Sequence, residues 1–242
     1  MITTPNSLSQ EDLALYGGVD PRDAPRYSFS EAARATDIPA STLRSWVVGQ
    51  SYARKHDRAF FQPVIGRPGD GDPRLSFTNL IEAHVLRALR TFHEVKLDYI
   101  RDAVAIAEKE FGITRLLISP DLRASAGHLF LDRYTHFVEL SRAQQLAMRA
   151  ILDQYLDRVE FDETKLPAEF FPFGRMPQGS GQRIISLSPF VSFGRPLLLR
   201  TGVSTRAVVE RIDAGEAVQE VVTDYGLEEQ ELEEAILYEA AA

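Results

Sequence analysis

The chain contains no cysteine, which excludes disulfides, thiolate metal sites and thiol catalysis. Histidine is scarce and scattered (His56, His84, His93, His128 and His136), with no H-E-x-x-H or comparable ligand spacing, so no metal is expected. No apolar run approaches the length that spans a bilayer. The start, "MITTPNSLSQEDLALYGG", lacks the basic region and apolar stretch of a signal peptide. These absences predict a cytoplasmic protein with no membrane partner. Enzymatic signals are missing too. "GSGQR" has no P-loop lysine after it, "GDGD" lacks the rest of a calcium-loop spacing, and no nucleophile stands beside a base. The expectation is a non-enzyme without cofactors. Positive charge is also short, with a net −8 that argues against an evenly basic nucleic-acid binder.

What is present begins with "SFSEAARATDIPASTLRSWV", Ser28 to Val47. Ser28 and Glu31 have the S-x-x-E spacing of a capping box, which predicts a helix start, and Ala32, Ala33 and Ala35 keep that helix slim. Thr36-Asp37-Ile38-Pro39 interrupts it, because proline disfavours helix in the residue before it. A second helix is expected from Pro39, with Leu43, Trp46 and Val47 on its apolar face. Ser41, Thr42, Arg44, Ser45 and Val48 are left facing outward. Two short helices around a tight turn, the second with a small polar face, describe a helix-turn-helix. Ala59 to Ile65 reads as strand and "GRPGDGDP" as a dense turn signal, together a hairpin wing.

Charge is unevenly distributed. Arg44, Arg54, Lys55, Arg58, Arg67 and Arg74 lie between the second helix and the end of the wing, whereas from Glu210 onward Arg211 is the lone base among acids. The basic residues suffice for phosphate neutralisation, and Ser41, Thr42, Arg44 and Ser45 are placed to reach base edges or phosphates. A plain helical hairpin inside a core, however, has the same local pattern. Further along, Ser76 caps a helix striped by Leu80, Ile81, His84, Val85, Ala88, Leu89 and Phe92, and a helix from about Asp98 to Phe111 ends at Gly112. "LLISP" and "HLFLDR" read as short strands. A helix from Ala143 to Val159 is amphipathic, and Leu152, Tyr155 and Leu156 on it are candidates for a dimer interface, although such a stripe also suits a core. "LPAEFFPFGRMPQGSGQR" reads as a linker or extended arm, "IISLSPFVSFGRPLLL" as two extended runs, and the rest as three short helices.

The expected fold is mainly α with small β elements. It divides into an arm (1–25), a winged helix-turn-helix domain (26–112), a mixed middle region for connection and dimerisation (113–180), and a small three-helix domain with an extended strand lead-in (181–242). "AVQEVVTDYGLEEQELEEAI" in the last part is also shaped like a helix-turn-helix. Its second helix carries Glu228, Glu229, Glu231, Glu233 and Glu234, which phosphates would repel, so a protein-binding or dimerising role is expected instead.

Two resemblances sharpen this. "T-D-I-P-A-S-T-L-R-S-W" followed by "R-L-S-F-T-N-L" resembles the winged helix-turn-helix of MerR-group regulators, with Thr42, Leu43, Arg44 and Trp46 on the first motif and Arg74, Ser76 and Leu80 on the second. Ser45, Leu75, Asn79 and Pro39 depart from it. The C-terminal stretch resembles the small helical domain of VapB-type antitoxins, with Gly194, Arg195, Pro196, Gly202, Ala214, Gly215, Glu216, Asp224, Tyr225, Gly226 and Leu227 at matching places. The resemblance implies a DNA-binding antitoxin that represses its own operon and neutralises a PIN-like (VapC-type) ribonuclease toxin. Such toxins use clustered carboxylates, so Arg175, Arg183, Arg195 and Arg200 are the implied toxin-binding candidates. Operator DNA is the other partner, read by a homodimer or higher even oligomer, because one winged domain reads a half-site. A MerR-like ligand-responsive regulator without a toxin and a protein-binding adaptor remain as alternatives.

Overall fold

The computed structural model describes residues 13–14, 16–54, 57–69, 72–91, 97–113, 115–123, 142–176 and 181–241. Helix α1 (Phe29–Thr36) starts as its sequence predicts. Ser28 N donates to Glu31 Oε2 at 2.8 Å and Glu31 N donates to Ser28 Oγ at 3.2 Å, the reciprocal bonds of a capping box. It ends at Asp37, a non-glycine residue in the left-handed region at φ 53°. Two arginines hold that turn: Arg87 bonds the Asp37 carboxylate and the Thr36 carbonyl, and Arg175 approaches the same carboxylate at 3.5 Å. Helix α2 (Ala40–Val48) follows with Leu43, Trp46 and Val47 buried, as the periodicity requires.

The wing exists but in a different register from the expected one. Its strands are β1 (Gln50–Arg54) and β2 (Asp57–Phe61), paired antiparallel from Gln50↔Phe61 to Arg54↔Asp57. The Gly/Pro-rich segment is therefore not the hairpin turn but the return path. Val64 N and Ile65 N both donate to Trp46 O, and fully buried Ile65 pins the return beneath α2. Helix α3 (Phe77–Thr91) is capped by Ser76 with Asn79 as the reciprocal partner. Asn79 Nδ2 also donates to Gly66 O at 2.8 Å, which ties the return path to α3. Helix α4 (Leu97–Phe111) stops at Gly112, whose φ is 63°.

In the middle region "LLISP" forms no strand. Leu116–Ile118 and Pro120–Arg123 are single 3₁₀ turns, and all three residues Leu116, Leu117 and Ile118 are buried rather than alternating. "HLFLDR" lies outside the described residues. Helix α5 (Arg142–Leu156) ends before Val159, which opens the hairpin β3 (Val159–Phe161) and β4 (Pro167–Phe170). Phe170 then pairs with Leu187, so of the two readings of this segment, linker or extended arm, the packed arm is the one found. Leu152, Tyr155 and Leu156, expected between two copies, are core residues of the chain itself: all three are buried on the side where α5 packs against α3. An amphipathic stripe has the same spacing whether its partner is a second chain or a neighbouring helix.

The C-terminal part starts with a two-stranded sheet, β5 (Ile185–Ser186) and β6 (Leu197–Leu198). Helices α6 (Thr205–Asp213), α7 (Val218–Tyr225) and α8 (Glu229–Ala240) complete it. Arg211 bonds Glu216 and Asp224 and lies 5.0 Å from the Tyr225 ring centre, so the lone base of the acidic tail staples α6 to α7. The fold is mainly α with small two-stranded sheets, as expected.

At the joint of α3, α5 and β4 sits His84, fully buried among Tyr155, Phe170 and Phe173, with ring centres 4.7, 4.7 and 5.6 Å away. Its Nε2 donates to Tyr155 O at 3.0 Å, while Nδ1 has no partner among the described residues. Burial pushes the imidazole down to about 3, so it stays neutral. An unfolded histidine titrates at about 6.5, so between these values the unfolded state binds a proton that the native state does not. Stability is therefore expected to fall as pH drops from about 6.5 toward about 3, by up to about 1.4 kcal/mol per pH unit from this group. Urea midpoints of the wild type and His84→Gln across this range check it, since the variant should show the shallower pH dependence. Parallel curves would mean that His84 titrates freely in the native protein.

Candidate nucleic-acid interface

The face of α2 opposite Leu43, Trp46 and Val47 carries Ser41 and Arg44, exposed, and Thr42 and Ser45, half-buried. The helix starts after Pro39 with no side-chain cap bond, and the Thr42 and Leu43 amides donate to Pro39 O, so the Ala40 and Ser41 amides form its leading edge. Amides at such a helix start attract phosphate. Arg44 lies with its guanidinium carbon 4.5 Å from the centre of the Phe29 ring, which fixes its stem along α1 and leaves its edge outward. Arg67 is exposed on the return path. Arg74 is less available than its sequence position predicts. It forms a two-point pair with Asp72, at 3.0 and 2.7 Å, which offsets its charge. Lys55 lies outside the described residues, as do the side chains of Arg54 and Arg58.

Behind this face the C-terminal unit grips the helix-turn-helix. Arg34 of α1 pairs with Glu239 of α8 and donates to Ala241 O at 3.0 Å. Glu239 also accepts from Thr205 Oγ1 at 2.6 Å. Arg175 reaches into the same joint and donates to Arg34 O at 2.7 Å, while its own backbone N–H donates to Glu234 Oε1 at 2.8 Å. Tyr27 adds a third contact by donating from its hydroxyl to Gly194 O at 2.9 Å. A fourth ties the arm to the middle region, where Arg22 pairs with Asp162. None of these pairings is visible in local sequence pattern.

The four arginines expected to meet a toxin are not grouped together. Arg175 is an internal strut, so the toxin-binding reading of it is corrected: its guanidinium already bonds Arg34 O and Asp37 within the chain. Arg183 pairs with Glu160 and lies over Phe171, and Arg200 pairs with Glu231 and Glu228. Both edge a groove of about 540 Å³, which also includes Leu199 and Gln230. Arg195 lies elsewhere, beside Arg26 at the foot of α1. The acidic helix is likewise less exposed than its composition implies, because Glu231 and Glu234 point inward as hydrogen-bond acceptors.

Removing Arg175 as a strut leaves a different signature from removing a binding contact. Arg175→Ala is expected to lower unfolding free energy by about 1–3 kcal/mol, the cost of lost charged hydrogen bonds. Thermal melting and urea unfolding measure this, and a variant as stable as the wild type would return Arg175 to the list of partner contacts.

Two family models match separate stretches of the chain. One described as "Putative DNA-binding HTH domain" matches residues 25–104, and one described as "Protein of unknown function (DUF433)" matches residues 185–238. A curated relative, "Putative antitoxin VapB45" from Mycobacterium tuberculosis, is 27% identical over 232 residues, which cover 88% of this chain and 93% of the relative. The X-ray crystal structure of Rv2018 from Mycobacterium tuberculosis superposes with a TM-score of 0.64 at 23% identity, covering 88% of this chain and 98% of that one, a likeness of fold. Among the described residues no helix is long and apolar enough to cross a membrane. With its helix-turn-helix, its grip on a C-terminal helical unit and these matches, the chain is similar to a VapB-type antitoxin along most of its length and carries an N-terminal helix-turn-helix domain.

Proposed function

We propose that this protein is an antitoxin that binds operator DNA through α2 and the β1–β2 wing, represses its own operon, and silences a PIN-like (VapC-type) ribonuclease by direct binding. It acts in the cytoplasm as a homodimer or higher even oligomer, since a single winged domain reads one half-site. The observation that carries the reading is the outward set of Ser41, Thr42, Arg44 and Ser45 on the second helix of a helix-turn-helix, in a chain alike to VapB45 along 88% of its length. Such a face supplies hydrogen-bond donors to phosphates and base edges, and arginine is the side chain best matched to guanine. Catalysis has no part in this reading.

For the toxin, the groove edged by Arg183, Leu199 and Arg200 has the right chemistry. Leu199 is 43% exposed and gives an apolar anchor, with two guanidiniums on the rim. Each arginine now holds a carboxylate of this chain, Glu160 or Glu231, and on binding it would exchange that partner for a carboxylate of the ribonuclease. A ligand-responsive regulator would need an open apolar chamber in the middle region. Among the described residues, the aromatic box around His84 is instead filled by its own rings.

The test is co-expression with the product of the adjacent gene, followed by native mass spectrometry of the purified protein. A stable complex with a small ribonuclease that loses activity when bound is the expected result, whereas a homodimer with no neighbour bound would favour the ligand-responsive regulator. Arg44→Ala is expected to leave that complex intact and to weaken operator binding by about 1–3 kcal/mol, roughly 5- to 150-fold, in a gel-shift titration. Unchanged DNA affinity would favour the adaptor reading, in which the helix-turn-helix is structural.

A further inference from the structure

A row of arginines surrounds the start of α1 and continues past the helix-turn-helix onto the C-terminal unit. Arg44 is at one end, against Phe29. The antiparallel bridge between Tyr27 and Leu75 brings Arg26 and Arg74 together, with Arg26 N donating to Leu75 O at 2.8 Å. Arg26 then extends over the C-terminal unit: its guanidinium carbon is 5.2 Å from the centre of the Phe193 ring. A Cβ placed on Gly194 would lie 3.2 Å from Arg26 Cδ, so the side chain runs directly along that turn. Arg195 is the next residue, and it is exposed.

The turn that presents Arg195 is strained. Ser192 and Phe193 have φ of 46° and 55°, and Gly194 follows at 70°. Residues with a Cβ rarely adopt this region, and such strain concentrates at functional sites. Phe193 gains no burial from it, since it is 60% exposed and serves as the shelf under Arg26. The turn is fixed from below by the Tyr27 hydroxyl on Gly194 O.

The charges on this row are not balanced locally. Asp72 is taken by Arg74, and Glu31 by the capping box of α1. Arg26 and Arg195 have no carboxylate partner among the described residues. Burial lowers the pKa of Arg26, and Arg195 and Arg74 push it the same way, as expected of cations held near each other. A polyanion is the partner that relieves such an arrangement, and duplex DNA carries one phosphate charge per about 1.7 Å of its axis.

We propose that Arg26 and Arg195 clamp the phosphate backbone of duplex DNA, continuous with the α2 face, so that the C-terminal unit contributes directly to the DNA interface through the strained Phe193–Arg195 turn. This rests on the DNA-binding reading above, and it moves Arg195 from toxin recognition to DNA positioning. Phosphate contacts of this kind fix register and orientation without reading sequence.

The test uses the full chain and DNA from upstream of its own coding sequence, titrated across a series of salt concentrations by fluorescence anisotropy. Wild type, Arg44→Ala, Arg26→Ala, Arg195→Ala and Lys165→Ala are compared, with thermal melting of each. Arg195→Ala is expected to melt as the wild type does, to bind several-fold more weakly at low salt, and to reduce the slope of log affinity against log salt by about 0.9. Arg26→Ala should do the same, and Lys165→Ala, on the β3–β4 turn, should keep the wild-type slope. A wild-type slope and affinity in Arg195→Ala, while Arg44→Ala loses affinity, overturns the clamp and leaves DNA binding standing. A wild type that binds no DNA overturns both. Loss of toxin capture by Arg195→Ala with an unchanged salt slope overturns the clamp in favour of a toxin contact.

Discussion

Tyr27 is held at both ends, and the arrangement of the two halves depends on it. Its backbone exchanges hydrogen bonds with Leu75, which sets α1 against the start of α3, and its buried hydroxyl donates to Gly194 O. Gly194 accepts this neighbour only because it has no side chain: a Cβ there would lie 2.3 Å from the Tyr27 oxygen, and its φ of 70° already favours glycine. One aromatic side chain thus joins the foot of the first helix, the entry to the third and the lead-in of the C-terminal unit. The ionic contacts of Arg34 and Arg175 build on a geometry that this bond has already set. Buried donors and acceptors this well matched are costly to separate, because each would be left without water.

Net charge is a poor guide to what this molecule offers its surroundings. Several arginines that look free in sequence are matched inside the chain, Arg175 to Arg34 O and Asp37, Arg200 to Glu231, Arg211 to Glu216 and Asp224. The same pairings take acids out of the field that phosphates would meet, and Glu234 is turned inward altogether. What remains near the helix-turn-helix is locally positive although the chain as a whole carries −8. Screening confines the effect of distant acids to about a Debye length, so local arrangement outweighs the total.

Legibility in the sequence followed the range of the interactions. The capping box at Ser28, the apolar face of Leu43, Trp46 and Val47, and the stop at Gly112 are all decided within a few residues, and all are read correctly from the chain. The sequence points to a later wing because the Gly/Pro cluster carries the stronger turn signal, whereas the strands that pair, Gln50–Arg54 and Asp57–Phe61, contain neither glycine nor proline. The run Leu116–Ile118 reads as strand yet forms a 3₁₀ turn, because a short apolar stretch looks alike in a buried turn and a buried strand. For α2, sequence suffices to place Ser41, Thr42, Arg44 and Ser45 on the side opposite the buried Leu43, Trp46 and Val47. It did not show that Arg74 has Asp72, or that Arg175 is a strut, since partners far along the chain leave no periodic trace.

The two family matches cover separate stretches, as if the chain were two interchangeable parts. The joint between them argues otherwise. Glu239 serves Arg34 of the first part and Thr205 of the second at once, and Glu234 holds the backbone from which Arg175 reaches back to the turn of the first. Grafting either part onto a relative's counterpart would bring one half of each pair without the other, leaving a guanidinium or carboxylate in a half-buried joint with nothing to meet it. Recombination between such proteins is therefore constrained at this seam: the parts can be exchanged only together with the charges that face each other across it.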